Sequence, residues 1–142
     1  MDMINPVVEL RAAKIPVIGW LAVHYWYVTY TRETAHRWEV WQRRDLKPDS
    51  WGHLHKNLMA PQAGVGNGSS WLERQWNGAE ALALTQIIEA SPDLYPHTHC
   101  YRYWPGPNSN TYVQWVLRQA QVDHVLSWKG LGKGYAGGIF WV

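Results

Sequence analysis

The sequence predicts an α+β domain, an antiparallel sheet of about four to six strands with two main helices packed on it. Three observations carry that expectation. Residues 20–30 and 36–42 are rich in β-branched and aromatic side chains and are separated only by a short polar stretch, the pattern of a hairpin. Two later segments carry helical rather than strand periodicity. The chain has 142 residues, 46% hydrophobic and 17% charged, which is enough to bury one core and far from the composition of disorder. A single domain over residues 1–142 follows.

In chain order, residues 1–14 hold a weakly helical patch over 7–13, which Pro6 suits as a first-turn residue, and read as a peripheral arm. Residues 15–30 are the most apolar run. Pro16 and His24 interrupt it and it is short for a membrane span, so it reads as a turn and a buried strand. Leu21, Val23, Tyr25 and Tyr27 alternate there with Ala22, His24, Trp26 and Val28, both sets largely apolar, as in a strand covered on two faces. In 36–42, Trp38, Val40 and Gln42 take one side and Arg37, Glu39 and Trp41 the other. The hairpin register decides whether Glu39 faces His24.

Residues 45–70 are loop-rich and end in the glycine cluster 64–70. Asn77 caps the clearest helix, 77–90, with Glu80 at the capping-box position and Ala81, Leu84, Ile87 and Ile88 as its apolar stripe. Ser91-Pro92 is expected to stop it. Residues 95–104 are a third strand candidate, leading through Trp104-Pro105-Gly106-Pro107 into a helix capped by Asn108 or Ser109. Tyr112 or Val113, Val116, Leu117 and Ala120 share one face of that helix. A short segment at 122–128, a glycine loop at 130–134 and an apolar strand at 139–142 complete the chain.

Composition narrows the function classes. A formal net charge of +2, with Arg43-Arg44 as the only adjacent basic pair, gives no strong claim on nucleic acid. The glycine cluster lacks the lysine of a phosphate loop. Cys100, the single cysteine, excludes an internal disulfide and a cysteine-built zinc site. Residues 1–14 carry no secretory signal, and a cytoplasmic location without a membrane span is expected. No cofactor or metal is expected; His53-x-His55 and His97-x-His99 would each put two imidazoles on one face if extended, but without a companion acid or cysteine pattern. Eleven Trp and eight Tyr against one Phe favour a core of hydrogen-bonded rings or a stacking surface, with Trp26 and Trp104 nearest any groove.

The residues that bear chemistry converge on the second helix start. Ser109 is the candidate nucleophile, because backbone N–H groups at a helix N-terminus stabilise a developing oxyanion. His24 is the candidate base, with Glu39 or His36 orienting its other nitrogen and Asn108 or Asn110 aiding the oxyanion. The alternative is that Asn108, Ser109 and Asn110 are cap and turn residues. Cys100 reads as inert packing within its strand.

The block Trp104-Pro105-Gly106-Pro107-Asn108-Ser109-Asn110-Thr111-Tyr112 resembles one shared by a bacterial family, domain-of-unknown-function family 3750. Further matching marks are Ala22-Val23-His24-Tyr25-Trp26, Arg37-Trp38-Glu39-Val40, Ile87-Ile88-Glu89-Ala90, Tyr95-Pro96 and Gly132-Lys133, covering residues 20–135. Relatives commonly have Gly-Lys-Asp-aromatic in the late loop, where this chain has Gly134 between Lys133 and Tyr135. Many of them also carry an N-terminal membrane segment. More loosely, the order of His24, Glu39 and the Asn108-Ser109 helix start is similar to the permuted papain-like fold of NlpC-type peptidases and lecithin-retinol-acyltransferase-like enzymes. That likeness implies a small hydrolase or acyl transferase acting on amide or ester bonds. Ser109 or, with a one-residue shift, Asn110 stands where those enzymes have cysteine. The substitution opens the alternative of a non-catalytic module that binds a small molecule or peptide, a pseudoenzyme keeping the cleft.

Overall fold

The alternation in residues 20–28 becomes the middle of the sheet. The computed structural model describes residues 5–17, 20–66, 68–127, 130–136 and 139–140. Six strands, β1 (Val7–Val17), β2 (Trp20–Thr31), β3 (Thr34–Val40), β4 (Ser50–Trp51), β5 (Leu54–Lys56) and β6 (Ser70–Asn77), form one open antiparallel sheet in the order β4-β5-β3-β2-β1-β6. Helices α1 (Gly78–Leu94) and α2 (Ser109–Gln119) follow, and β7 (Tyr135–Ala136) pairs with β8 (Ile139–Phe140) apart from the main sheet. The expected strand 139–142 is described only over 139–140.

Both faces of β2 are buried, for different reasons. Val23, Tyr25 and Tyr27 join Leu10, Trp38 and Val40 under the helices, against Leu84, Ile88, Val113, Val116 and Leu117. Trp26 and Val28 face the other way with Ala13, under residues 57–66, where Val65 packs on them. The tyrosines remain polar at their tips: Tyr27 Oη donates to the Val113 carbonyl at 2.7 Å, and Tyr25 Oη pairs with Ser127 Oγ at 3.2 Å. The bias toward Tyr over Phe thus ties the sheet to α2 and to the chain beyond it.

Three sequence expectations are corrected. Residues 7–13 are not a helical arm but part of β1, a central strand between β2 and β6. Val8, Leu10 and Ala12 alternate with Glu9 and Arg11, and two flanking strands favour that period over a seven-residue helical patch. Residues 95–104 make no strand. Tyr95 is the residue that caps the end of α1, the Cys100 amide turns back to the His97 carbonyl at 3.3 Å, and the Arg102 amide reaches the Pro107 carbonyl at 2.8 Å. Cys100 is accordingly exposed in a turn rather than buried in a strand.

Helix α1, third, runs through Ser91-Pro92 to Leu94. Proline lacks the N–H that would bond the carbonyl of Ile88. Ser91 Oγ supplies the donor instead, at 2.6 Å, and accepts from Tyr112 Oη at 2.9 Å, which joins the two helices. At the other end Asn77 takes the N-cap place without a side-chain cap bond, its Oδ1 accepting from Gln75 Nε2 at 3.3 Å, so the Glu80 capping box does not form.

The β2–β3 hairpin closes on two residues, Arg32 and Glu33, with φ of 52° and 64°. Both torsions positive in a two-residue loop is a type I′ turn, which favours Asn-Gly. Replacing Glu33→Gly is expected to raise stability by about 1 kcal/mol, read as a thermal midpoint about 3 °C higher. In the helix pair, Ser91→Ala is expected to destabilise by about 2 kcal/mol and Tyr112→Phe by about 1 kcal/mol, because only the first strands the Ile88 carbonyl. Urea unfolding of the two variants checks the order.

Candidate functional site

The start of α2 is a capping box. Asn108 Oδ1 accepts from the amides of Asn110 (3.0 Å) and Thr111 (3.4 Å), and Thr111 Oγ1 accepts from the Asn108 amide at 3.0 Å. Of the two cap residues expected, Asn108 takes the role. The remaining polar atoms reach outward. Asn108 Nδ2 donates to the Tyr103 carbonyl at 2.7 Å, and Thr111 Oγ1 donates to the Gly132 carbonyl at 2.6 Å. Gly132, at φ +88°, lies so close that a Cβ there would stand 2.4 Å from Asn108 Nδ2. The glycine loop is therefore folded onto the cap.

Asn110 docks the helix on the sheet. Its Oδ1 accepts from the Tyr25 amide at 3.1 Å, while its Nδ2 donates to the carbonyls of Val23 at 2.8 Å and Leu131 at 3.1 Å. Strand β2 pairs with β3 only from Tyr27 onward, so Val23 and Tyr25 present a free edge there, and the amide of Asn110 replaces the missing neighbour. Ser109 is buried, and its hydroxyl donates to Asn110 Oδ1 at 3.4 Å. Beside it lies a cavity of about 10 Å³, room for a single water, lined by Ala22, Val23, Tyr101, Tyr103 and Leu131 among others.

His24 and Glu39 meet as the register allowed. Trp38 pairs with Tyr27, and Glu39 Oε1 lies 2.9 Å from His24 Nε2, both side chains fully buried. Arg37, equally buried, donates from Nε to Glu39 Oε2 at 2.7 Å and from Nη2 to Oε1 at 3.0 Å. Its Nη1 donates to the carbonyls of Ala60 (2.9 Å) and Ala63 (2.7 Å), and its guanidinium lies 3.9 Å from the Trp26 ring centroid. Burial pushes the Glu39 carboxyl upward, but the hydrogen bond from His24 and the charge and hydrogen bonds of Arg37 outweigh it, and the group is held below the usual carboxylate range. An ionised Glu39 only accepts, so His24 Nε2 carries the proton and donates. The other nitrogen, Nδ1, is buried with no hydrogen-bond partner.

The two clusters meet β2 differently: Asn110 bonds its open edge, whereas His24 projects from the face opposite Val23 and Tyr25. His24 stacks on Trp26, with ring centroids 5.4 Å apart, and meets Trp41 edge-on at 5.2 Å, on the face away from α2. No hydrogen bond joins Ser109 to His24. Among the expected residues, the structure thus brings together His24 with Glu39, and Asn108 with Ser109 and Asn110. His36 does not join the first pair; its Nδ1 faces Asn57 Nδ2 at 3.2 Å. Trp26 is enclosed, its indole donating to the Pro61 carbonyl at 2.9 Å, whereas Trp104 is 64% exposed.

The paired histidines are held apart by their own partners. His55 lies between Ser50 Oγ (2.6 Å) and the Arg43 carbonyl (2.8 Å), and His53 Nδ1 bonds the Trp41 carbonyl at 2.9 Å. His99 meets Arg44 at 3.2 Å. Among the described residues no three His, Cys, Asp or Glu side chains gather around a possible metal position. From the sequence, Glu39 either faces solvent or pairs with Arg37, Arg102 or a histidine, since a buried unpaired carboxylate is costly. The structure buries it with Arg37 and His24, Arg37 being at i−2 on the same strand face.

The model of a family described as a protein of unknown function matches residues 5–135. The chain belongs to the DUF3750 family. The match begins ahead of residue 20 and so includes β1, in keeping with that strand's central place. No curated protein and no solved structure matches the chain. No described helix of this DUF3750 chain is long and apolar enough to cross a membrane.

Acid is expected to unfold the domain in two stages. His55, His36, His97 and His124 are all pushed down by burial, so their contribution is complete above the ordinary histidine range near about pH 6.5 and declines as pH falls through their lowered values. The Glu39 contribution is lost at lower pH, through its depressed value. Chemical denaturation between pH 8 and 3 (circular dichroism) reads both stages. Glu39→Gln, which leaves Arg37 buried without its counter-charge, is expected to cost about 3–5 kcal/mol at neutral pH and to flatten the lower stage.

Proposed function

We propose that this domain is a non-catalytic binding module of permuted papain-like architecture, a pseudoenzyme that takes a small-molecule or peptide ligand on the surface beside the α2 N-terminus, in the cytoplasm. One observation carries the reading. The side-chain polar atoms of Asn108 cap α2 and bond Tyr103, those of Asn110 hold α2 to β2 and to Leu131, and the Ser109 hydroxyl faces Asn110 rather than a base. An oxyanion site needs donors left free for the substrate, and a nucleophilic serine needs a base within reach. The exposed rings of Tyr103 and Trp104, on the loop that closes over the cap, offer the stacking surface for a ligand.

A second reading, a small hydrolase or acyl transferase using Ser109 and His24, is favoured by a separate observation. His24 has one nitrogen held by a carboxylate and the other without a partner, the arrangement of an oriented base. Asn110 also bonds the main chain on either side of His24. In this reading Ser109 leaves Asn110 and reaches Nδ1 past the unpaired edge of β2.

A broad ester and amide screen of wild type, Ser109→Ala and His24→Ala separates the two. Equal background rates in all three are expected. Turnover by the wild type that drops about 100-fold or more in either variant would replace the first reading with the second.

A further inference from the structure

Arg37 and Trp26, the first bonded to Glu39 and the second stacked on His24, lie beneath one irregular segment, residues 57–66, on the face of the sheet away from the helices. Main-chain carbonyls hold that segment down. Those of Ala60 and Ala63 accept from Arg37, that of Pro61 from Trp26, and that of Gln62 from Ser70 Oγ at 2.6 Å. Near its start, Asn57 Oδ1 accepts from the Arg37 amide at 2.8 Å. The side chains of Ala60 and Gln62 are exposed, and none from 57 to 66 is fully buried. A covering layer attached by a few hydrogen bonds, with little apolar burial of its own, belongs to the least stable part of a fold.

The polar layer on this face is unusual for a purely structural core. Three ionisable side chains are sealed from solvent, and His24 Nδ1 has no partner there. Apolar packing would stabilise such a position at least as well as an ion pair, and an unbonded buried nitrogen is unfavourable in any closed state. Solvent or a hydroxyl ligand would satisfy it once the cover lifts.

We propose that residues 57–66 are a lid that opens independently of global unfolding and exposes His24 Nδ1 as a proton acceptor braced from behind by Glu39. The ends are built to turn: Asn57 and Gly66 both hold left-handed torsions, with φ of 59° and 61°. A groove of about 370 Å³ runs between Ala60, Pro61, Gln62 and Ala63 on the lid and Tyr30 and Ala35 on the hairpin, and it is the seam along which the lid parts. The ligand class admitted is a small hydroxyl-bearing molecule, water included. The inference goes beyond either proposed function, because it concerns access to His24 and not whether Ser109 reacts.

Hydrogen exchange on the wild-type chain tests it without a variant. The indole N–H of Trp26, which the lid protects, is expected to exchange at least about 100-fold faster than the main-chain amides of Leu10 and Tyr27. Diethyl pyrocarbonate, which attacks an unprotonated imidazole nitrogen, is expected to modify His24 in the native protein faster than the chain unfolds. Ser70→Ala removes the donor to Gln62 and is expected to raise both rates several-fold while leaving the core amides unchanged. Exchange of the Trp26 indole in step with the core amides overturns the proposal, as does a His24 that reacts only at the rate of global unfolding.

Discussion

The structure depends on one side-chain amide. Strand β2 is longer than the partner offered by β3, and its first half would leave main-chain groups of Val23 and Tyr25 without a neighbour inside the protein. Asn110 satisfies one donor and one acceptor of that edge with a single group, and its second N–H binds Leu131. Only a primary amide presents a donor and an acceptor in this way; aspartate would set oxygen against the carbonyls of Val23 and Leu131, and leucine would satisfy neither. The position of α2, the burial of Ser109 and the placement of the glycine loop all descend from this contact. Gln114 repeats the device one turn later, donating to the His124 carbonyl at 3.2 Å and accepting from the Leu126 amide at 3.1 Å.

The division of labour across β2 follows from its period of two. Odd residues from Val23 to Tyr27 are aromatic or aliphatic and meet the helices; His24 and Trp26 face a second layer made of loop. Loop cannot supply much apolar cover, so that side is closed by polar contacts, and Arg37 is suited to the task because a guanidinium donates in several directions at once. Glu39 and the lid carbonyls occupy those directions. The cost of burying the pair is offset only while all partners are in place.

Much of this was legible in the sequence. The alternation of residues 20–28, the two sides of 36–42, the hairpin between them and both helices were readable because each has a dominant period. Glu39 was recognisable as needing a buried partner. Residues 7–13 were misread because seven residues do not separate a helical from an alternating pattern when charged side chains fall on the hidden face. The continuation of α1 through Pro92 was not readable, since it rests on a serine hydroxyl whose second partner, Tyr112, lies on another helix. The side of β2 on which His24 lies relative to Ser109 is likewise a tertiary fact, and the chemical reading of the Asn108-Ser109-Asn110 block turns on it. Sequence spacing placed these residues in one order without saying which partner each would find.

The tyrosines that replace phenylalanine in the core have a consequence at the other end of the pH scale. Burial pushes the hydroxyls of Tyr27, Tyr95 and Tyr112 well above the ordinary phenol range, and that of Tyr101 up to about 12. A group whose value is raised by folding stabilises the protein below its unfolded value and withdraws that stability as pH climbs toward the raised one. Alkali therefore meets a core that resists ionisation as long as it stays folded, and the tyrosinate absorbance of these rings becomes a report on the integrity of the sheet-to-helix contact rather than on four independent phenols.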